Sequence, residues 1–527
     1  MPADGVGGAV TVRDDGGVVD LLDAAAVRTW AAAAHTALEA ARDRIDAVNV
    51  FPVADSDTGT NVLLTVDGGL QWVSRVPEHA AAPELAGAFA RGALLAARGN
   101  SGVIVSQYLT GFARALPSRA GAVEVATCLA VAARAAREAT VEPQEGTVLT
   151  LADVVADAAA TAADAGADLP TMLAESVAEA LRALGRISDV HPVLRAAQVL
   201  DAGACALLVV LDALARAVGD ERPVQVPLDW LPTTAAQHTS PQLSGGAFEV
   251  MLLVSDDDRP DPEAGVRDTG AELRRRMGGL GDSVAVVGGD GWWHVHVHTD
   301  HPAAAIEAAA IGRREQVLVR LLTGVHAGGS ALHGRPDGRE RWGVVVCTHA
   351  ADLASWYASA GAVVLVRCPD APIEAQHLQR AVTDTGATHV ALLPGTGVGA
   401  QEAAALTVPG VVVEVLDASD ELRAVVGSLA LAGAGPTSHG CSAARSALDR
   451  MATQQLEAAT TAGLCEAVDS LVRARHVGES LTVLVRDAAG DGMVADLAAH
   501  LAANHPTVEV TVVGPTGRGP ALVLGLD

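Results

Sequence analysis

Between Asn49 and Asn61 the chain reads NVFPVADSDTGTN, with Asp55 and Asp57 one residue apart and Thr58-Gly59-Thr60-Asn61 directly after them. Mg²⁺ takes one or two protein carboxylates and completes its octahedron with waters and phosphate oxygens, so two aspartates on an irregular loop suit it. The small-residue turn lets backbone N–H groups come close to phosphate. A metal-bound nucleotide is the chemistry this spacing offers. The same residues also make an ordinary Asp/Gly/Thr turn between two helices.

A second stretch, ARGNSGVIVSQ from Ala97 to Gln107, sets Arg98, Gly99, Asn100, Ser101 and Gly102 before an apolar run. It reads as a glycine loop opening a helix, where free N–H groups and the helix dipole favour phosphate. A plain Ser N-cap explains it as well. Glu145-Gly146-Thr147-Val148-Leu149-Thr150 and Leu200-Asp201-Ala202-Gly203-Ala204 each read as a turn or cap,. Further on, His294, His296 and His298 share one face of a strand, as a zinc platform would require,. Alternating His and Val also describes a half-buried strand.

Composition removes several mechanisms. All 36 basic residues are arginines, so there is no lysine for a P-loop, a protein-kinase strand or a Schiff base,. Phosphate charge would have to be met by metal ions, backbone N–H groups and arginine. A formal charge of −27 speaks against nucleic acid or an anionic membrane surface as the main partner,. The acidic start of the chain lacks the pattern of a signal peptide and no uncharged apolar run reaches membrane-spanning length, so the expectation is a cytoplasmic protein without integral membrane association,. The six cysteines show no CxxC pair or disulfide spacing and read as reduced, mostly buried thiols,.

At 527 residues the chain should hold two to four domains,. Residues 1–18 are Gly- and Asp-rich and read as a flexible N-terminus,. Ala-rich helical periodicity from 19 to 220 predicts one all-α domain, with helices over Val62–Trp72 and Leu85–Ala97,. The Pro-rich stretch 221–243 reads as a linker,. Over 244–335, strand-like runs at Phe248–Val254, Ser283–Val287 and Trp292–His298 with helices near Ala264–Met277 and Ala303–Ile311 predict a small α+β domain,. Over 342–527, β-branched runs at Trp342–Cys347, Ala362–Val366, His389–Leu393, Val411–Val415, Leu481–Val485 and Val508–Val513 predict an α/β domain with a largely parallel sheet,. The fold class is thus multidomain.

These motifs together resemble a known family. NVFPVADSDTGTN resembles the metal loop of the L-type nucleotide-binding domain of dihydroxyacetone kinases, and more closely that of the kinase component of bacterial fatty acid kinase, the FakA-like proteins. Their loop reads NVFPVPDGDTGTNM, so this chain departs at Ala54 and Ser56. ARGNSGVIVSQ, EGTVLT and LDAGA resemble the family's next three elements, in the same order. The resemblance implies a closed helical barrel holding ATP and Mg²⁺ at one end. Asp55 and Asp57 would be the catalytic metal ligands, with Asn49 completing the shell. Thr58, Gly59, Thr60, Asn61, Arg98, Gly99, Asn100, Ser101, Gly102, Thr147, Asp201 and Gly203 would bind the nucleotide. The middle domain resembles a family strand reading HVHT whose histidines join a cysteine in a zinc site. Ala247 stands at the cysteine's place here, so the expectation is a middle domain without stoichiometric zinc. The C-terminal region resembles DegV-like proteins with less fidelity, its turns at Arg367–Pro372 and Leu393–Gly397 having drifted.

By resemblance the activity is an ATP-dependent kinase that phosphorylates a fatty acid carboxylate presented by a separate DegV/FakB-type lipid-binding protein, giving an acyl phosphate. A homodimer is a further expectation. Two alternatives stand beside it: a non-catalytic nucleotide-binding or scaffolding protein, and a small-molecule kinase of the dihydroxyacetone type.

Overall fold

In a computed structural model, residues 21–219, 226–232, 246–256, 268–289, 291–322, 340–475, 480–487 and 491–527 are described. The expected flexible N-terminus, 1–18, and most of the 221–243 linker lie outside them.

The first domain is all helix: α1 (Ala24–Asp46), α2 (Thr58–Val73), α3 (Ala82–Ala96), α4 (Gly99–Ala115), α5 (Ala122–Ala139), α6 (Val148–Asp164), α7 (Leu169–Val190), α8 (Pro192–Ala197) and α9 (Ala202–Val218). Each long helix packs on the next, and α9 lies against both α7 and α1, so the ring closes. Small side chains make this possible. Gly68 of α2 and Gly92 of α3 face each other so closely that a Cβ on Gly92 would meet the Gly68 carbonyl at 2.4 Å. α9 buries fifteen of its seventeen residues, because it carries apolar residues on every side,. The few aromatics gather here too: Trp30 packs edge-on against Phe89 and Phe112, and its indole N–H donates to the Val210 carbonyl at 2.9 Å. Truncating such a side chain in a core costs about 3–5 kcal/mol.

The remainder opens with β1 (Phe248–Ser255), α10 (Thr269–Gly278), β2 (Asp282–Gly289), β3 (Trp292–Thr299), α11 (Pro302–Ala308) and β4 (Arg313–Leu321). It continues with β5 (Trp342–Thr348), α12 (Ala354–Ser359), β6 (Val363–Val366), α13 (Ala375–Asp384), β7 (His389–Leu393), α14 (Ala400–Ala404), β8 (Val412–Val415), α15 (Glu421–Ala434) and α16 (Ser438–Arg450). The chain ends with β9 (Ala452–Leu456), α17 (Thr461–Arg475), β10 (Ser480–Val485), α18 (Asp491–Asn504), β11 (Glu509–Val513) and β12 (Leu522–Leu526). The expected strands are all present. Strands β4, β9 and β12 are additional, and of the expected helix Ala264–Met277 residues 264–267 lie outside the described ones.

The sheets cut the chain differently from the sequence reading. One eight-stranded sheet runs β2-β3-β1-β4-β6-β5-β7-β8, so the middle and C-terminal regions are joined across the expected boundary by antiparallel pairing of β4 with β6. They also share one core. β5 to β8 are parallel as expected. A separate four-stranded sheet, β11-β10-β12-β9, forms its own small core with α17 and α18.

Register decides what faces the helical domain. Glu249 pairs with His298, Met251 with His296 and Leu253 with His294, so these side chains share one face of the sheet,. The same face carries Ala285 and Val287, which pack with Leu94, Ala97 and Val103 of the helical domain. No helix among the described residues is long and apolar enough to cross a membrane. All six cysteines are free, five of them buried.

Candidate active site

The Asp55/Asp57 loop lies between α1 and α2, and the residue that fixes its exit is Asp46, the last of α1. Asp46 Oδ1 accepts from the N–H groups of Gly59 at 2.6 Å and Thr60 at 3.1 Å, and Oδ2 accepts from the Thr60 hydroxyl at 2.8 Å. The first turn of α2 is therefore capped by the preceding helix, while Asp57, at the N-cap position, makes no side-chain cap bond,. That leaves the Asp57 carboxylate for the cleft. Ser56, where the resembling loops carry glycine, holds φ at +56°, a left-handed conformation that costs a side-chain-bearing residue about 1 kcal/mol,.

Four helix N-termini gather around this loop. α2 starts at Thr58 and α4 at Gly99, whose φ of +56° and close approach to Asn61 suit only glycine, since a Cβ there would lie 2.4 Å from Asn61 Nδ2,. α6 starts after Thr147, which caps it, and α9 after Asp201, whose carboxylate accepts from the Ala204 N–H at 2.7 Å. A side chain at Gly203 would touch Val148 and the Ser101 hydroxyl, so the starts of α9, α6 and α4 adjoin. Helix N-termini present unpaired N–H groups and positive dipole ends, which favour an anion.

A narrow cleft of about 20 Å³ opens at this meeting point. On the helical side it is lined by Asn49, Asp55, Asp57, Thr58, Asn61, Gly99, Asn100 and Ser101. Gly59, Thr60, Arg98, Gly102, Thr147, Asp201 and Gly203 are not among its lining residues. Two expectations need correction. The Thr60 hydroxyl donates to Asp46 at 2.8 Å, and Thr60 does not line the cleft. The Arg98 guanidinium pairs with Asp384 of α13 and is not the cation of the site.

That cation is Arg320 of β4, which the sequence reading missed. The sheet side of the cleft is Glu249, His298 and Arg320. Arg320 donates to Asp57 Oδ2 at 2.9 Å and to Glu249 through Nε. Burial works against its charge, but Glu249 and Asp57 outweigh that and hold the guanidinium protonated,. Asp55 has the opposite situation: burial first, then the neighbouring Asp57 charge, push its carboxyl well above the usual range despite Arg320. Its oxygen is held by Asn49 Nδ2 at 2.7 Å. Three carboxylates against one guanidinium leave two negative charges in excess when all are ionised, the charge a divalent cation brings. Asn49 Oδ1 and Asn100 Oδ1 are buried oxygens that accept no hydrogen bond. Hard oxygen donors with no partner beside paired carboxylates fit Mg²⁺.

The histidine strand has a third donor after all. Glu249 Oε1 lies 3.3 Å from His296 Nδ1, and Glu249, His296 and His298 offer ligand atoms within 4.8 Å of one another. Burial pushes both imidazoles down to about 3, so they stand neutral. The expectation of no zinc rested on a missing third ligand, and Glu249, two residues past Ala247, supplies one.

The helices thus form a ring with an aspartate loop at gathered N-termini, an arrangement that favours anions and a cation together,. Residues 52–216 match the DAK2 domain, and residues 246–326 match the middle domain of FakA-like fatty acid kinase proteins. Among curated proteins, the chain is 28% identical over 342 residues to Protein YloV of Bacillus subtilis, covering 61% of this chain and 60% of that protein. It is 31% identical over 291 residues to an uncharacterised protein of Staphylococcus haemolyticus, covering 53% and 50%. The chain thus spans half to three-fifths of the length of these relatives. Among solved structures, dihydroxyacetone kinase from C. freundii in complex with AMP-PNP and Mg²⁺ aligns with 41% of this chain and 38% of its own, at 16% identity and a TM-score of 0.29. The chain carries a DAK2 domain and a FakA-like middle domain, both kinase-related.

Proposed function

We propose that this chain is an ATP-dependent phosphotransferase, and that its acceptor is a fatty acid carboxylate presented by a separate DegV/FakB-type lipid-binding protein. The observation that carries the reading is the cleft itself, where three carboxylates and two unpartnered asparagine oxygens stand beside the N-termini of α2 and α4. The match of residues 246–326 to the FakA-like middle domain supports the acceptor class.

Asn49, Asp55 and Asp57 would hold Mg²⁺, which when bound offsets charge on the transferring phosphoryl group. The N–H groups at the start of α4 and the Ser101 hydroxyl would orient the phosphates, and Thr58 and Asn61 would close the floor. Arg320 faces the same space from the sheet. The cleft is narrow, about 20 Å³, and Arg320 closes over Asp57 at 2.9 Å, so nucleotide binding there would compete with that contact. Freed from Asp57, the guanidinium would be the cation nearest the phosphates. Phosphoryl transfer is mostly positioning and charge neutralisation, which these groups supply without a lysine.

The test is incubation of the purified full-length chain with ATP, MgCl₂ and lipid-loaded candidate partners, read as ADP release and acyl phosphate. Partner-dependent ADP release without acyl phosphate would overturn the acceptor. A binding-only protein is the second reading, favoured by the closed Arg320–Asp57 contact. It stands if Mg·ATP binds but no partner or small acceptor, dihydroxyacetone included, elicits turnover.

A further inference from the structure

Outside the cleft, in the small domain built on the four-stranded sheet, Asp469 of α17 faces His500 of α18 and His505 just past its end. Both imidazole Nε2 atoms converge on the same carboxylate oxygen, His500 at 2.8 Å and His505 at 2.7 Å from Asp469 Oδ1. The three donor atoms lie within 4.8 Å of one another. Residues five apart do not share a helix face, so continued helix would carry His505 away. α18 ends at Asn504, the His505 N–H still bonds the Leu501 carbonyl at 2.7 Å, and both rings nevertheless reach Asp469.

Simple hydrogen bonding does not account well for this arrangement. The side chains are 21%, 18% and 30% exposed, so solvent could satisfy each of them, and ion pairs at such exposure contribute about 0–1 kcal/mol,. Two imidazoles and a carboxylate drawn together from two helices are instead a common ligand set. Asn504 packs beside the His500 ring, its Nδ2 donating to the His500 carbonyl at 3.0 Å and standing 3.3 Å from Nδ1.

We infer that Asp469, His500 and His505 form a binding site for one divalent ion of the zinc class, with water completing the coordination on the exposed side. Nitrogen donors select zinc-like ions over Mg²⁺ or Ca²⁺, which prefer all-oxygen sets. The ion would tie α17 to α18 in a domain whose own core is small,.

The experiment uses the metal-free full-length chain, titrated with Zn²⁺ by calorimetry and with Co²⁺ by visible absorption. The parent is compared with His500→Gln/His505→Gln and, separately, Asp469→Asn. Both comparisons are repeated in a His296→Gln/His298→Gln background, which removes the other three-donor cluster. We expect each variant to lose one equivalent of bound ion, with the cobalt d–d absorption and the ion-dependent rise in melting midpoint assigned to it. Equal stoichiometry in parent and variants overturns the site, as does a background that binds none. If the background does not fold, the difference of one equivalent between the parent and the His500/His505 variant decides alone.

Discussion

Asp55 and Asp57 look equivalent in sequence, but Arg320 makes them different. Asp57 is bound to the guanidinium at 2.9 Å, whereas Asp55 is a buried carboxyl that accepts from the Asn49 amide and is pushed up by burial and by the neighbouring Asp57 charge. Asp55→Asn should therefore leave the metal-free protein more stable than Asp57→Asn does, because only the second substitution also breaks an ion pair. Thermal midpoints without Mg²⁺ give the ranking, and the reverse order would contradict the charge assignment. Either substitution should weaken Mg²⁺-supported ATP binding by about 100-fold, the scale of loss when a site's metal hold is damaged. If Asp57→Asn keeps parental Mg²⁺-dependent ATP affinity, the loop is only a turn. Asp201 gives a pH signature. Burial pushes its carboxyl from 3.8 to about 6, against the opposing bonds from backbone N–H groups. A raised folded-state value means that its contribution is fully present below about 3.8 and is lost as pH rises through about 6,. Asn can keep the cap on α9 without the charge, so Asp201→Asn should exceed the parent in stability by up to about 3 kcal/mol near pH 8. That margin should shrink toward zero near pH 4, and denaturation midpoints across pH measure it. A margin independent of pH would mean that the carboxyl does not carry a buried charge. The aspartate pair and the cap were legible because their signals are local. Arg320 was not, since it meets Asp57 across 263 residues and nothing around it marks a partner.

The elements that position these residues were legible wherever a period ran long enough. Helices α2 and α3 differ from their expected spans only at the ends, because capping by Asp46 across the loop starts α2 earlier than its apolar period suggests. β4 was missed for the opposite reason. It begins Arg-Arg-Glu-Gln and carries Gln316 at φ +50°, where its pairing with β1 shifts register, so neither alternation nor apolar content marks its first half. β9 is half polar, and β12 has Gly525 inside it. The start of α4 is the element most open to test. Gly99→Ala must place a Cβ against Asn61 at φ +56° and should cost about 1–2 kcal/mol while weakening Mg·ATP binding,. Gly87→Ala, inside α3 with open space around it, should instead stabilise by about 0.5–1 kcal/mol,. Melting curves of the two variants with and without Mg·ATP separate these effects. Equal behaviour of both would show that the α4 start tolerates a side chain and is not held against α2.

At the scale of the whole molecule, the sequence separated three domains where the structure joins two of them. The junction is the pairing of Val317–Val319 with Val364–Val366, two short apolar runs that could pair with almost any strand,. Besides a bridge from Thr140 to Ala285 at its β2 edge, the joined sheet with its helices reaches the helical domain at two places. One is the histidine face with Arg320. The other is α13, where Arg380 donates to the carbonyls of Ala97 at 2.6 Å and Leu95 at 3.2 Å, just before α4 begins. Asp384, one turn along, pairs with Arg98 and stands 3.7 Å from Arg380 Nε, so one buried carboxylate balances two buried guanidiniums from different domains. Burial lowers the Arg380 value to about 10, only partly opposed by Asp384, so the charge there is already costly. Asp384→Asn keeps the shape but leaves two cations facing each other without a counter-ion, and breaking a buried pair in this way costs about 3–5 kcal/mol. Because Arg98 and Ala97 lead directly into Gly99, the same substitution should loosen the start of α4 and weaken Mg·ATP binding, although Asp384 does not line the cleft. Asp417→Asn, which removes the exposed partner of Arg423, should change stability by no more than about 0.5 kcal/mol and leave binding intact,. Calorimetric melting and nucleotide titration of the two variants provide the comparison. If Asp384→Asn melts and binds like Asp417→Asn, the α13 contact is incidental, and the phosphate end of the site is held by the helical domain alone.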